Sequence, residues 1–401
     1  MIGLDDLART PNALAPHYSR FRVAERLLLT GHSHQAWPDV ARDAQLEAFD
    51  DAAALVDDKW DRSFARADEV RAGFRRLLDD PDGEIALGAS THDLVIRFLS
   101  ALELTGRRRR LVTSTGEFHT LRRQLGRLAE AGVDIEWVAA EPTDTLAERI
   151  ARTVDEHTAA VLVSAVLFET ARIVPNLDAV AVTCRHTGTE LLIDAYHALG
   201  PVPFSIEELG LADAWIVGGG YKYLQLGEGN CFLRLPAHAA ERRPVVTGWF
   251  AEFDALADHD GADRVTYGPG AQRFAGSTYD ATSHYRAARV FRFFDEQGLT
   301  PPLLRRSYVH QLEVLADGFD ALGAPSDVIT RDRATPLSGL GGFLALRTQH
   351  APKLREGLRE RGVSSDSRGP QLRFGPAPYL SDAQLEAAVG ALGDALGELR
   401  V

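Results

Sequence analysis

The chain has 401 residues, which exceeds one ordinary hydrophobic core and predicts one large and one smaller domain. Its formal net charge of −13 argues against nucleic acid as the main partner, although a local basic pocket could still bind an anionic substrate. Two cysteines are too few for a disulfide framework, and no CxxC motif or Cys/His cluster suggests zinc. Neither a membrane span nor a secretory signal is visible. We therefore expect a cytoplasmic protein without a metal and without a membrane partner.

In chain order, a helical segment over residues 39–78 comes first, and strands then alternate with helices. Short apolar runs predict strands at residues 84–87, 111–113, 135–139, 160–166, 190–194 and 214–217. Amphipathic runs between them predict helices at residues 93–102, 121–131 and 177–187. This βαβα alternation predicts a mostly parallel sheet flanked by helices.

The pattern changes at about residue 286. Helices are predicted at residues 288–296, 302–318, 351–361 and 381–397, with short strands at 341–347 and 372–374. Helices packed on one face of a small sheet form an α+β domain. The predicted division is a large α/β domain of residues 40–285 and a small α+β domain of residues 1–39 and 286–401.

The segment with the clearest chemistry covers residues 191–223, with the runs LLIDAYHALG and WIVGGGYKYL. One predicted strand ends at Asp194, and the next leads through three glycines to Lys222. Ligands of open α/β sheets bind beyond the carboxyl ends of the strands, so both side chains can reach one ligand. Pyridoxal phosphate (PLP) needs an amine for covalent attachment and a carboxylate facing its pyridine nitrogen. The pair therefore favours PLP, and the glycines would let the backbone approach the cofactor.

These two runs resemble kynureninases, in the aminotransferase class V group of PLP enzymes. The resemblance implies the PLP-dependent transferase fold type I, with a mostly parallel, seven-stranded type of sheet in the large domain. It also implies roles for four residues. Asp194 would pair with the pyridine nitrogen, His197 would lie by the ring hydroxyl, Tyr221 would bind the phosphate, and Lys222 would hold the cofactor.

Two other segments match the cofactor side of that family. In LGASTHDLV, the hydroxyls and N–H groups of Ser90 and Thr91 suit a phosphate at a helix N-terminus, although an ordinary N-cap has the same sequence. In TSTGEFHTL, the aromatic ring that stacks on the cofactor maps to Phe118, or to His119 as in other class V enzymes. The family's aspartate just beyond is Leu121 here.

The runs VTGWF and RFAGSTYD match segments that reach the cofactor phosphate from the neighbouring subunit. The matching residues are Trp249 and Thr278. An ordinary buried tryptophan and a threonine in a turn would give the same sequence pattern. The resemblance therefore implies a homodimer with active sites at the interface. Tyr279 and Asp280 stand where the family often has proline, close to the expected substrate.

The substrate side of the site is implied by two more segments. In SDSRGPQLRFGPAPYLSD, Arg373 matches the arginine that clamps the substrate α-carboxylate, a task suited to a guanidinium fork, and Arg368 could assist. In GHSHQAWP, only Gly31, Ser33 and Pro38 fit the family's segment, and we expect Ser33 and His32 on the substrate side. His32 and His34 could equally be ordinary loop histidines.

The implied reaction is hydrolysis of L-kynurenine, or 3-hydroxykynurenine, to an anthranilate and L-alanine, a step of tryptophan catabolism. The alternative is another class V reaction on a different amino acid, by a C–S lyase or an aminotransferase. A cysteine desulfurase is disfavoured because Cys184 and Cys231 lie on a predicted helix and strand, where they fit packing roles. A PLP-fold regulator is disfavoured because no basic helix-turn-helix segment is visible.

Overall fold

The computed structural model describes residues 2–255 and 264–399. The helices are α1 (Leu4–Ala8), α2 (Val40–Leu55), α3 (Lys59–Leu78), α4 (Thr91–Ser100), α5 (His119–Glu130), α6 (Leu146–Thr153), α7 (Leu177–Thr187), α8 (Thr282–Gln297), α9 (Pro301–Ala321), α10 (Ala351–Glu360) and α11 (Asp382–Leu399). The strands are β1 (Leu27–Leu28), β2 (Glu84–Gly88), β3 (Arg110–Ser114), β4 (Asp134–Val138), β5 (Thr158–Ser164), β6 (Glu190–Asp194), β7 (Trp215–Gly219), β8 (Cys231–Leu235), β9 (Thr330–Arg331), β10 (Leu344–Arg347), β11 (Val363–Ser364), β12 (Asp366–Arg368) and β13 (Gln371–Phe374).

A seven-stranded sheet in the order β2-β8-β7-β6-β5-β3-β4 forms the centre of the molecule. Only β8 runs against its two neighbours, and the other six strands share one direction. Helical crossovers such as α4 and α7 return the chain to the same end of the sheet, which makes the strands parallel. The α/β architecture with a mostly parallel sheet is therefore confirmed.

Helices cover both faces of this sheet. Every residue of β5 is buried, as expected for a strand in a sheet enclosed on two sides. One apolar layer includes Leu94 and Phe98 of α4 with Leu125 of α5, and the opposite layer includes Val180 of α7. Leu94 and Phe98 lie four positions apart, so they share the helix face that packs on the sheet.

A four-stranded antiparallel sheet in the order β12-β13-β10-β9 lies in the carboxyl-terminal part of the chain. The amino-terminal segment packs onto this region, because β1 pairs in parallel with β11 and Thr30 forms a bridge with Gly375. That docking brings residues 31–35 next to the central sheet. The division into residues 40–285 and residues 1–39 with 286–401 remains a prediction.

Several elements differ from the sequence prediction, which did not include α1, α6 or the short strands β1, β9, β11 and β12. The segment 39–78 contains two helices, α2 and α3, separated by a 3₁₀ turn at Val56–Asp58 in which Val56 has a φ of 54°. Helix α6 was not predicted, because its eight residues give too short an amphipathic pattern. No helix within the described residues is long and apolar enough to cross a membrane.

Candidate active site

The carboxyl ends of four parallel strands converge on one edge of the central sheet. β3, β5 and β6 end at Ser114, Ser164 and Asp194, and β7 ends three residues before Lys222. Parallel strands present their carboxyl ends on the same side, so residues distant in sequence meet there. The structure brings together the predicted Asp194, His197, Tyr221 and Lys222, and the Lys222 side chain is buried.

The amine of Lys222 hydrogen bonds to His197. The distance from Lys222 Nζ to His197 Nε2 is 2.7 Å, and His197 Nδ1 lies 3.4 Å from the hydroxyl of Tyr223. Burial lowers the pKa of His197 well below its ordinary value, and the nearby charge of Lys222 adds to this effect. A neutral imidazole can accept from Lys222 through Nε2 while Nδ1–H faces Tyr223, a tautomer assigned from this hydrogen-bond pattern.

Burial also changes the ionisation of Lys222 and Asp194. It lowers the pKa of Lys222 to about 7, against an opposing effect of the Asp194 carboxylate. It raises the pKa of Asp194, while the backbone N–H of Tyr196 and the charge of Lys222 act in the other direction. The Tyr196 N–H donates to Asp194 Oδ1 over 2.8 Å. Lys222 can therefore present a neutral, nucleophilic amine near neutral pH.

Three aromatic rings surround the Lys222 amine. Nζ lies 5.1 Å from the ring centroid of Phe118, 4.7 Å from that of Tyr196 and 5.8 Å from that of Tyr221. The ring of His119 packs edge-on against Phe168 at 5.2 Å. Of the two residues considered for stacking on the cofactor, Phe118 is thus the one with a described contact to the amine.

The start of α4 lies beyond the end of β2, near the same sheet edge. Ser90 is the N-cap residue, and its hydroxyl accepts from the backbone N–H of Asp93 over 3.1 Å. Thr91 is the first helical residue and is partly exposed. The capping interaction that the sequence left open is therefore present, and the first turn still offers N–H groups to an anion.

The Arg373 guanidinium is buried near Lys222. Its hydrogen-bond partners within the protein were not predicted from the sequence. Arg373 Nη1 donates to the carbonyl of Phe168 over 2.6 Å, and Nη2 forms a close ion pair with Asp366. Asp366 also lies 3.3 Å from Nε2 of His32. Burial lowers the pKa of His32 to about 4, although its hydrogen bond with Asp366 opposes this shift. A neutral His32 therefore donates to Asp366, which in turn orients Arg373.

The other predicted residues have no described hydrogen bond to Lys222, Asp366 or Arg373. Ser33 Oγ contacts His34 Nδ1 at 3.1 Å, and the His34 ring stacks on Tyr221 with centroids 4.9 Å apart. Arg368 is exposed on β12. Leu121, which replaces the family's aspartate, is buried in the apolar layer beneath α5. Of the residues expected on the substrate side, His32 and Arg373 are therefore the two that meet.

Trp249 and Thr278 lie together on another part of the surface. The indole N–H of Trp249 donates to Thr278 Oγ1 over 3.2 Å, and the indole ring stacks on Phe250. Trp249 remains 43% exposed. Thr278 and Tyr279 line a cavity of about 1070 Å³ next to the start of α4. These contacts are separate from those of Lys222.

Curated relatives of the chain include kynureninases. It is 27% identical over 334 residues to a kynureninase of Xanthomonas campestris pv. campestris, covering 78% of this chain and 76% of that protein. It is 26% identical to a kynureninase of Geobacillus thermodenitrificans over 58% of this chain and 54% of that one. An uncharacterized aminotransferase of Bacillus subtilis is 22% identical over 82% of this chain and 84% of that protein. No protein-family profile matches the chain.

Solved structures share the fold at low sequence identity. The cystine C–S lyase C-DES, in a mutant with glycine covalently linked to its PLP cofactor, superposes with a TM-score of 0.80 at 14% identity, covering 94% of this chain and 98% of that one. A cysteine desulfurase of Thermococcus onnurineus superposes with a TM-score of 0.77 at 15% identity, covering 99% of both. The fold is that of type I PLP enzymes. Together these similarities indicate a PLP-dependent enzyme of aminotransferase class V.

The described residues fit such a cofactor. A buried amine with a lowered pKa, a carboxylate at the next strand end and an aromatic ring beside the amine match the three needs of a PLP ring. In addition, Arg373 Nε is buried without a hydrogen-bond partner among the described residues. An unpaired buried guanidinium N–H is costly, so this atom is suited to an anionic ligand group such as a carboxylate.

Two of the glycines before Lys222 are closely packed against other protein groups. A Cβ at Gly219 would lie 2.6 Å from Cys231 Sγ, and one at Gly220 would lie 2.3 Å from a side-chain carbon of Leu226. Close packing against β8 and the loop before it therefore favours glycine at both positions. The expected approach of this backbone to the cofactor stays a prediction.

Six residues of the site were missed by sequence reasoning. They are Glu117, Phe168, Tyr196, Tyr223, Phe343 and Asp366, which are buried or contact the predicted residues. Glu117 had a usable signal, because it is an acidic residue directly before the proposed stacking aromatic. Phe168 and Phe343 had none, because apolar residues in or near strands are typical of any core.

Proposed function

We propose that this chain is a PLP-dependent hydrolase that cleaves L-kynurenine, or its 3-hydroxy analogue, to an anthranilate and L-alanine. The observation that carries the proposal is the convergence of Lys222 and Asp194, beside strand ends of the central sheet, with Arg373 of β13, in a chain whose curated relatives include kynureninases. A lysine and a strand-end carboxylate suit the cofactor, and an arginine behind them suits an α-amino acid.

Each side chain has a task that follows from its surroundings. The cofactor would supply an electron sink for bonds at the substrate Cα. Lys222 would hold it covalently and, once released by the substrate amine, would take the Cα proton. His197 accepts from the Lys222 amine and so fixes its direction. Asp194 would keep the pyridine nitrogen protonated, with Phe118 against the ring.

The phosphate would be held by Ser90, Thr91 and the start of α4, with Tyr221 nearby. The first turn of a helix offers unpaired N–H groups to an anion. Burial raises the pKa of Tyr221 to about 12, so its hydroxyl stays protonated and can donate a hydrogen bond or relay a proton.

Arg373 would bind the substrate α-carboxylate. Asp366 and the Phe168 carbonyl hold two of its nitrogens, which leaves the buried Nε–H for the substrate. The rings of His32 and Phe343, with centroids 4.6 Å apart, form an aromatic wall beside this group. Such a wall suits the aryl group of kynurenine better than a short aliphatic side chain.

Hydrolysis would add water to the γ-carbonyl of the substrate and break the Cβ–Cγ bond. The carbonyl carbon becomes the anthranilate carboxylate, and the three-carbon fragment takes up a proton to become alanine. Lys222 and Tyr221 would deliver such protons.

We further propose a homodimer, in which Trp249 and Thr278 reach the phosphate region of the partner subunit.

The test is incubation of the PLP-loaded protein with L-kynurenine, following anthranilate by fluorescence and alanine by chromatography. Equal amounts of both products support the proposal. The kynureninase assignment would be overturned if the protein binds PLP but releases neither anthranilate from L-kynurenine nor 3-hydroxyanthranilate from 3-hydroxykynurenine. The cofactor assignment would then still hold.

A second candidate is a C–S lyase, because the cystine C–S lyase C-DES superposes on this chain with a TM-score of 0.80. Cystine is its discriminating substrate, and sulfur release is the readout. This chain has two cysteines, both buried, and burial raises the pKa of Cys231 to about 12. A cysteine that must attack sulfur as a thiolate is disfavoured by that environment, so a lyase here would act without a cysteine nucleophile.

A further inference from the structure

Glu117 is a buried carboxylic acid that the proposed reaction does not use. It is 1% exposed and lies in the turn between β3 and α5. Its Oε1 accepts from Ser114 Oγ over 2.5 Å and from the Ser164 backbone N–H over 3.2 Å. Its Oε2 accepts from Ser164 Oγ over 2.5 Å. Both carboxyl oxygens are therefore satisfied by the ends of two strands.

These bonds determine where the next residue lies. Ser114 is the last residue of β3 and Ser164 the last of β5, and these strands are neighbours in the sheet. Ser114 Oγ also accepts from the backbone N–H of Gly116 over 3.1 Å, which closes the turn. Phe118 follows Glu117 directly and is the N-cap residue of α5. The turn is thus fastened one residue before the ring that lies beside Lys222.

We propose that Glu117 is a positioning residue whose carboxyl group ties the turn after β3 to the end of β5 and thereby fixes the ring of Phe118 against the cofactor. The inference rests on the proposed use of PLP and adds a residue that acts through Phe118. Phe168 also contacts Phe118, with centroids 5.3 Å apart, but it approaches edge-on and leaves the turn itself unfastened.

The electrostatics of Glu117 are compatible with this role. Burial raises its pKa to about 7, the hydrogen bonds from Ser114 and Ser164 oppose the shift, and the charge of Asp194 adds to it. Ser164 pairs in register with Asp194, so the two carboxyl groups lie on adjacent strand ends. A proton shared within the Glu117–serine cluster limits the negative charge beside Asp194, which needs its own charge for the cofactor.

The test is a double-mutant cycle on PLP affinity, measured by fluorescence quenching of the cofactor-free protein. We expect Glu117→Ala to weaken PLP binding about tenfold when Phe118 is present, because the turn is no longer tied to Ser164 and the Phe118 ring is no longer held against the cofactor. In the Phe118→Ala background the same change should cost less than about twofold, since the ring it positions is gone. Equal losses in both backgrounds would overturn the proposal.

Two matched variants separate positioning from general damage. Glu117→Gln keeps an acceptor for the Ser164 N–H and should retain affinity within about threefold. Thr113→Val removes a buried hydroxyl from the same strand, one that bonds to the Leu162 carbonyl, and should leave PLP affinity unchanged. Should Glu117→Ala not fold, Ser164→Ala takes its place in the cycle with the same expectations.

A readout without cofactor separates this inference from the proposed function. With 4-fluorophenylalanine at position 118, the fluorine resonance should be single and sharp in the cofactor-free parent and in Glu117→Gln, and broadened in Glu117→Ala. An unchanged resonance in Glu117→Ala contradicts the inference even if PLP binds. Failure of the parent protein to bind PLP contradicts the proposed function, whatever the resonance shows.

Discussion

Two regions of the molecule carry residues proposed to meet the same cofactor, yet they are built differently. Around Lys222 the polar groups are buried and form hydrogen bonds with one another. Lys222 Nζ lies 2.7 Å from His197 Nε2, and Glu117 accepts from the hydroxyls of Ser114 and Ser164. Around Trp249 the aromatic rings stack on the surface, and the indole remains 43% exposed. The first region is held together by contacts within the chain, whereas the second has an aromatic face directed to solvent.

This contrast indicates how the two regions obtain their stability. Buried polar groups at strand ends are fixed by the sheet itself, so their geometry exists before any ligand arrives. An exposed tryptophan gains most from burial against another surface. We therefore expect the Lys222 region to act within its own chain and the Trp249 region to act on a partner chain, and the predictions below test that difference.

The largest effect is expected for Lys222→Ala. Activity should fall by at least about 10³-fold, because both covalent attachment and proton transfer at Cα are lost. The lysine that holds PLP can be identified by reducing the loaded protein with borohydride and mapping its peptides. The chain has three lysines, Lys59, Lys222 and Lys353, so the labelled residue is readily assigned. The label should fall on Lys222, and the exposed Lys353→Ala variant serves as the control. Label on Lys59 or Lys353 would remove Lys222 from the site.

Arg373→Lys should reduce kcat/KM for the amino-acid substrate by about 10- to 100-fold, because one ammonium cannot hold Asp366 and the Phe168 carbonyl while also donating to the substrate carboxylate as Nε–H would. The loss should disappear for a substrate analogue that lacks the α-carboxylate, and PLP binding should be unaffected. Arg347→Lys, on the exposed side of β10, is the matched control. An equal loss with both substrates would mean that Arg373 is structural.

The double variant Trp249→Ala/Thr278→Ala should lose at least about tenfold in activity. Mixing it with Lys222→Ala distinguishes action within a chain from action across chains. If the pair serves the partner subunit, hybrid dimers contain one intact site, and an equal mixture should recover roughly a quarter of the parent activity. No recovery, with hybrids verified by native mass spectrometry, would place the pair's function within its own chain.

The smallest effect concerns pH. The pKa of Lys222 is about 7, and only its neutral amine can attack the cofactor aldehyde, so the rate of PLP capture should rise with pH. Between pH 6.5 and 7.5 the increase should be about threefold, whereas a free alkylamine would titrate near 10. Asp194→Asn removes a charge that raises this pKa, so the midpoint should move to lower pH. Stopped-flow absorbance measures both, and a midpoint near 10 in the parent would contradict the assignment.

Much of this arrangement was determined by the sequence. Alternating apolar runs predicted the central strands because burial on both sheet faces leaves a strong pattern, and helix α7 was predicted at residues 177–187, as observed. Asp194 and Lys222 were found because one ends a strand and the other follows a strand by three residues. The side chains that meet them were harder to find: Asp366 and Phe343 belong to other strands or loops, and nothing local marks them.

The tertiary structure alone decided three matters. It placed Phe118 beside the Lys222 amine at 5.1 Å, a choice that adjacent aromatic residues in the sequence left open. It joined His32, Asp366 and Arg373 across more than 300 residues of chain, through the docking of β1 on β11. It also showed that the glycines before Lys222 are required by close packing. Local patterns report burial and turn geometry, but which side chains face one another depends on how distant strands are brought into register.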